Sequence, residues 1–502
     1  MIYDYIIYGG GPTGLALAYF LSKYNYKIAL VEQKQKLGGC WKNKMKDNKY
    51  YTEQSPQMLN NSNKIFINFL KETGYDYENQ IINITNIYKI NNFFKNNLSF
   101  FDKIKFTKSL KFKPDKNITL SKWLNNNRIS SKGKDIISIF SKIFANSPDK
   151  ILAYDIFEYL DYYIKNNKLY HFKDNNHWIN HIENKLIDQN VNIFKGYSLI
   201  KLNSNNNSIT TANIKGDSIK ILEGKKHILT FPPNAFKFFL ENQNDIIKNN
   251  WMDYTKMIEL IKESSYTSFS FQFNFKEKID TPNDWFYSCA SNYKIFILPI
   301  SKYVTNFSND PDIKTVWSCK IIDTSLFIKD KNKYINDMTK EEIIENIKKE
   351  LNITPYKTTI YDGVQNINGR WTSTDSGFSV GKLGVINSKG NINNLYTVGP
   401  HNITGINDIN KAVKSAKLFL EDNKILEKFS NKSNLNNLNN LNNLNNLNNL
   451  NNLNNLNNLN NLNNLNNLNN INYILIFLIL IFLICIFKKL INLNNINKST
   501  NI

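Results

Sequence analysis

The residues best placed to do chemistry stand near the N-terminus: Gly9-Gly10-Gly11-Pro12-Thr13-Gly14, with an acid, Glu32, at the end of the next apolar run. The spacing Gly9-x-Gly11-x-x-Gly14 suits a phosphate cradle. Gly9 permits a tight turn, Gly11 lets a pyrophosphate approach the backbone, and Gly14 lets a helix lie close against a strand. Pro12 and Thr13, inside the same loop, are read as cofactor-contacting residues. Glu32 is suited to accept hydrogen bonds from the hydroxyls of an adenosine ribose.

Such a loop works only if its flanks hold it. Tyr3–Tyr8 reads as a buried strand, Leu15–Tyr24 as a helix and Lys27–Glu32 as a second strand. The helix N-terminus then offers free N–H groups and partial positive charge to the phosphates. Ala18, one turn beyond Gly14, keeps the helix close. A glycine-rich turn in some other α/β fold is the competing reading; strand, glycines, helix, strand and acid together favour a dinucleotide site.

Further motifs narrow the dinucleotide. Leu37-Gly38-Gly39-Cys40-Trp41 follows the second strand, and Asn394-Leu-Tyr-Thr-Val-Gly399-Pro-His-Asn-Ile-Thr-Gly405-Ile406 precedes a helical stretch with Ala412 and Ala416. Lys226–Pro233 reads as a strand ending in two prolines. By these motifs and their order the chain resembles the flavin amine oxidase, phytoene desaturase and protoporphyrinogen oxidase superfamily, over about 430 residues and most strongly at the two ends. The resemblance implies FAD as cofactor, with Gly38, Gly39 and Trp41 near it. It also implies contacts from Gly399, Gly405 and Ile406 at a helix N-terminus facing the flavin, and from Leu199 near adenine. The chain departs from the pattern at Pro400, where the family usually has an acid for the ribityl chain. No lysine near Ser264–Phe275 matches the catalytic one that a substrate-domain strand often carries in the family. No catalytic residue is assigned.

Composition excludes other classes. Of 63 basic residues only Arg128 and Arg370 are arginine, and Arg is the residue favoured for bidentate phosphate and guanine contacts. The net charge of +21 therefore reads as a lysine-rich solvated surface, with no nucleic-acid partner expected. Cys40, Cys289, Cys319 and Cys485 have no metal-like or CxxC spacing. His177 and His181 could share a helix face, but no third ligand accompanies them, so no metal is expected.

The C-terminus changes character. Residues 434–470 form an almost pure Leu-Asn-Asn repeat. Three residues advance a helix by about 300°, so the leucines form no stripe, and the tract reads as a flexible linker of about 30–35 Å end to end. Residues 471–487 are apolar apart from Asn472, and Lys488 and Lys489 close the run. As a helix it spans about 25 Å, near the short limit for a bilayer core of about 30 Å. It reads as a single transmembrane helix, tail-anchored, with the body facing the cytosol and 488–502 as a short polar tail. No signal peptide is expected.

The expected fold is α/β: an FAD-binding Rossmann-type domain from residues 1–50, 190–240 and 385–430, interleaved with an α+β substrate domain from 51–189 and 241–384. The expected function is hydride transfer from an amine or apolar organic substrate to flavin N5, with oxygen or another acceptor. Two alternatives stay open: a flavin monooxygenase, which usually carries a second glycine-rich fingerprint for NADPH, and a non-enzymatic Rab GDP-dissociation-inhibitor-like or scaffold protein of the same fold.

Overall fold

The structure is a computed structural model of the chain. It describes residues 1–425 except 55–56, 85–93, 95–96, 144–146, 167, 206, 265–267, 280–286, 289–291, 368, 374–385, 404 and 406–407. The chain divides into two units, Met1–Lys432 and Ser433–Ile502. The Leu-Asn-Asn tract, the apolar segment 471–487, the tail 488–502 and Ile406 lie outside the described residues. Among the described residues no helix is long and apolar enough to cross a membrane.

In chain order the first half runs β1 (Ile2–Tyr8), α1 (Pro12–Ser22), β2 (Ile28–Glu32), β3 (Lys44–Lys46), β4 (Tyr50–Thr52), β5 (Met58–Asn60), α2 (Lys64–Glu72) and β6 (Ile81–Asn83). Then come α3 (Phe100–Lys111), α4 (Leu120–Asn126), α5 (Ser131–Ile143), α6 (Ala153–Asn166), β7 (Leu169–Phe172), α7 (Asn175–Asp188), β8 (Asn192–Lys195), β9 (Ser198–Asn205), β10 (Ser208–Lys215) and β11 (Ile219–Leu229). The second half runs α8 (Pro233–Leu240), α9 (Asp245–Lys248), α10 (Tyr254–Ser264), β12 (Phe269–Phe275), β13 (Tyr287–Ser288), β14 (Ile295–Leu298) and β15 (Thr315–Ile321). It ends with β16 (Phe327–Ile328), β17 (Lys333–Tyr334), α11 (Lys340–Leu351), β18 (Lys357–Ile360), β19 (Val364–Ile367), β20 (Arg370–Ser373), β21 (Leu395–Thr397) and α12 (Ile409–Asp422).

The N-terminal sheet has the order β8-β2-β1-β11-β10-β9, with β21 also paired to β11. β8, β2, β1, β11 and β21 are parallel, whereas β9 and β10 turn back as an antiparallel extension. β1 leads through α1 to β2 on one side, while its other neighbour, β11, arrives from much later in the chain. Such a reversal at the carboxyl ends of parallel strands opens a crevice where ligands bind.

Alternate residues of β1 feed two cores, as a strand covered on both faces requires. Tyr5 and Ile7 join Leu15, Leu17 and Leu21 of α1. Ile6 and Tyr8 join Phe236 and Leu240 of α8. The first core also takes Phe66 and Phe69 from α2 and Trp178 and Ile182 from α7. These two helices lie within the stretch 51–189, so the dinucleotide half draws on residues beyond 1–50. α1 is buried from Thr13 to Ser22, and a helix buried all round needs neighbours on every face.

The second sheet has the order β13-β14-β15-β12-β18. β12 splits by period two. Phe269, Phe271, Phe273 and Phe275 pack with Ile343 and Ile347 of α11, each burial contributing roughly 1.5–3 kcal/mol. Ser268, Ser270, Gln272 and Asn274 occupy the opposite face and are also buried. The helices α3, α4 and α6 pack their own core, with Phe106, Trp123 and Phe157, against Phe296 and Leu298 of β14.

Candidate active site: a glycine cradle between two helix N-termini

The loop after β1 turns as its glycines require. Gly9 has φ +117°, and a Cβ there would lie 2.8 Å from Thr230 Oγ1. A Cβ on Gly14 would run into the Gly9 carbonyl oxygen, so only glycine lets α1 start this close to β1. Gly11 is different: a Cβ there would meet only Gly39 Cα, at 3.9 Å. The protein has no use of its own for a bare Gly11, whereas a ligand approaching the backbone does. No side chain caps the first turn of α1, and Pro12 fills its first position, leaving its amides available to an anion.

The Leu37–Trp41 loop closes the other side of the cradle. Gly38 N donates to Gly10 O at 2.8 Å. Gly38 and Gly39 have φ of +103° and +55°, in the left-handed region that favours glycine. A Cβ on Gly39 would sit 3.1 Å from Gly11 Cα. The two glycine loops thus face each other through bare backbone. Trp41 turns away into the first core, edge-on to Trp178, where it positions the loop.

Glu32 ends β2 buried beside the cradle. Its Oε2 accepts from Gly10 N at 2.7 Å and its Oε1 from Lys34 N at 2.9 Å, which orients the carboxylate. Tyr197 N donates to Glu32 O at 3.0 Å. That bond ties the start of β9, with half-buried Leu199, to the same end of the sheet.

The C-terminal motif arrives from β21. Val398 N donates to Leu229 O at 2.9 Å, so Gly399 stands at the carboxyl end of the sheet. Pro400 opens a short 3-10 turn. Thr397 Oγ1 and His401 Nε2 lie 2.6 Å apart in the interior. Burial, reinforced by Lys411, holds His401 neutral with its pKa down to about 3. Gly405 has φ +99°. Asp408 caps α12 by accepting from Lys411 N at 2.8 Å, and Lys411 Nζ donates back to Gly405 O at 2.8 Å. Burial lowers the Lys411 pKa to about 8 against the pull of Asp408 and Asp155.

Two buried ionisable residues that the motifs do not reveal lie on or against the polar face of the second sheet. Lys320 lies on the buried polar face of the second sheet, directly across from Ser270 of β12. Burial brings its pKa down to about 7, with Cys40 favouring the charged form. A buried lysine thus lies on the strand next to the one the resemblance pointed to. Its sequence signal is a lone lysine in the otherwise uncharged strand Thr315–Ile321. The second residue, Glu53, is buried just after β4. It accepts from Tyr51 Oη at 3.0 Å, and its own carbonyl accepts from Gln272 Nε2 at 3.1 Å. Burial raises its carboxyl to about 7, with Ser318 and Tyr51 opposing. Among the described residues no group of three His, Cys, Asp or Glu side chains is arranged to hold a metal ion.

The donor set fits a dinucleotide: bare glycine backbone on both sides, open amides, and an oriented acid at the end of β2. Comparison with known proteins agrees. Residues 7–73 match the model of the NAD(P)-binding Rossmann-like domain. Comparison with curated proteins found no match. Among solved structures, an oxidoreductase from Methanosarcina mazei is 12% identical, covers 83% of this chain and 99% of its own, and superposes with TM-score 0.58. A protein described as a candidate protoporphyrinogen oxidase from Exiguobacterium sp. 255-15 is 16% identical over 84% and 98% of the two chains, TM-score 0.56. A putrescine oxidase solved with putrescine bound is 13% identical over 84% and 99%, TM-score 0.56. Residues 7–73 thus match an NAD(P)-binding Rossmann-like domain, and the chain shares its fold with solved oxidoreductases, a putrescine oxidase among them.

Proposed function

We propose that this protein is an FAD-dependent oxidoreductase that removes a hydride from a C–H bond of an amine or apolar organic substrate, with oxygen or another acceptor completing the cycle. The observation that carries the reading is the convergence of the Gly11–Gly39 cradle, Glu32 and the N-terminus of α12 at the carboxyl end of the parallel sheet. When bound, FAD supplies the two-electron acceptor.

The protein's own residues supply position and charge. Backbone at Gly11 and Gly39 and the open turn of α1 hold the pyrophosphate, Glu32 takes the ribose hydroxyls, and Leu199 packs near adenine. The N-terminus of α12, with Gly399 and Gly405 before it, places a helix dipole toward the ring. Pro400 supplies no acid for the ribityl chain. In this reading Lys320 serves the substrate side. With a pKa near 7 it is neutral in about half of the molecules at neutral pH and in more of them above it, able to accept a proton from the substrate or to hold a water. As part of this reading, residues 471–487 anchor the protein in a membrane.

The absorbance spectrum of the purified protein is the first test, with about one flavin per chain expected. Anaerobic mixing with polyamines, aryl-alkylamines, polyenes, NADH and NADPH is the second. A colourless, folded protein that takes up no added FAD refutes the proposal and favours the scaffold alternative. Bleaching of the flavin by NADPH alone favours the monooxygenase.

A further inference from the structure

Large apolar side chains exposed singly are ordinary on protein surfaces, but a contiguous group is not. α3 and its C-cap carry such a group. Phe100 and Phe101 are each 70% exposed, Ile104 51% and Phe112 64%. At about 100° per residue, Phe100, Phe101, Ile104, Lys108 and Lys111 fall within one arc of roughly 100°. The buried residues Asp102, Phe106, Ser109 and Leu110 lie on the opposite side. The helix is therefore amphipathic twice over: one apolar stripe faces the protein and a second faces out.

The outward stripe is held rigidly. Phe106 packs against Phe94 and Phe157, with ring centroids 4.3 and 5.4 Å apart. The buried Asp102 carboxylate accepts from Ser99 Oγ at 2.7 Å and from Ser130 N at 3.1 Å, and Ser99 caps the helix. Phe100 and Phe101 present an edge-to-face pair, centroids 5.7 Å apart, to the outside.

The charges around the stripe identify its partner. From Phe100 to Lys116 there are six lysines (103, 105, 108, 111, 113 and 116) and two acids, Asp102 and Asp115. Asp102 is buried. Lys105 donates to Arg128 O and Lys113 pairs with Asp161, while Lys108 and Lys111 stand exposed beside the aromatics. Outward phenylalanines flanked by lysines suit the boundary of an anionic bilayer, where aromatic rings enter the headgroup region and ammonium groups remain with the phosphates. We propose that the outer face of α3 docks on an anionic membrane surface, a second membrane contact made by the folded body itself. This rests on the proposed reading of residues 471–487 as a membrane anchor. α3 then sets which way the body faces.

The test uses the full-length chain with Ile104→Cys or Phe101→Cys carrying an environment-sensitive fluorophore, with Phe327→Cys on β16 as control. Signal from the native cysteines, measured on the unsubstituted chain, is subtracted. On phosphatidylcholine vesicles containing phosphatidylserine, the label on α3 shifts to the blue and is quenched by brominated lipid, and the label at 327 does neither. Lys108→Glu with Lys111→Glu reverses the shift. Two lysines at about 1 kcal/mol each correspond to roughly 30-fold in the docking equilibrium. An unchanged α3 label on these vesicles overturns the proposal. So does a label already blue-shifted without lipid, which would mean that another segment of the chain covers the stripe. Equal shifts at 104 and 327 also overturn it.

Discussion

Thr13 Oγ1 donates to the Ala412 carbonyl at 3.2 Å, joining the first turn of α1 to the first turn of α12 across 399 positions of sequence. Two helix N-termini are thereby held side by side with their positive ends together. Neighbouring partial charges of like sign disfavour each other, and an anionic or reducible ligand between them relieves that cost. The bond is part of what assembles the site. Thr13→Val keeps the shape and removes the donor, and is expected to lower stability by about 0.5–1.5 kcal/mol. Urea unfolding of the two proteins checks it; an unchanged midpoint would show that the bond contributes nothing.

The glycines separate folding from binding. Gly14→Ala drives a methyl into the Gly9 carbonyl, and is expected to cost both melting temperature and flavin. Gly11→Ala places its methyl in ordinary van der Waals contact with Gly39 Cα, at 3.9 Å, and is expected to melt like the parent while binding FAD roughly tenfold or more weakly, a loss of about 1.4 kcal/mol or more. Circular dichroism and flavin absorbance on the same samples distinguish the two. Full flavin binding by Gly11→Ala would move the pyrophosphate out of the cradle.

Lys320 gives the reaction its expected pH dependence. With a pKa near 7 in the folded protein, the neutral amine predominates above that pH. The rate of flavin reduction should therefore climb as pH rises through 7 and then level off. Lys320→Met is expected to retain FAD, slow reduction by roughly 10²–10⁴-fold and lose the limb near pH 7. Rapid-mixing absorbance across the pH range measures both, and a variant with the same limb would assign the titration to another group.

Glu53 makes a prediction about stability. Burial raises its carboxyl from the usual carboxylate range to about 7, so the folded state holds the proton more tightly than the unfolded state. That contribution is full below the unfolded pKa of about 4.5 and declines as pH rises to about 7, by up to roughly 3 kcal/mol. Relative to Glu53→Gln, the parent should lose stability between those values and change no further above 7. Denaturant midpoints of both proteins from acid to neutral pH provide the check. Parallel curves would show the carboxyl to be ionised throughout.

Local chemistry is legible in sequence where one short segment carries the whole instruction. Gly14 demands its place because a Cβ there strikes the Gly9 carbonyl of the same loop, Gly9 because its φ of +117° favours glycine, and Tyr5–Tyr8 alternates between two cores as any doubly covered strand does. Leu37–Trp41 and Gly399–Gly405 were readable because each pairs glycine with an adjoining strand or helix.

Lys320 and Glu53 were not legible, because nothing near them in sequence marks them. Lys320 becomes a buried amine only when β15 pairs with β12 in a register that sets it opposite Ser270 on the polar face of the sheet. Glu53 becomes a buried acid only when the polar face of that sheet closes over it. The outward stripe on α3 has the same origin. Packing of Phe106 against Phe157, and the buried contacts of Asp102 with Ser99 and Ser130, decide which of its residues face the core and which are left for a partner. Sequence by itself determined the dinucleotide cradle, since backbone sterics act over a few residues. Tertiary structure alone decided what faces that cradle, since burial, and the pKa shifts it causes, depend on neighbours that only folding supplies.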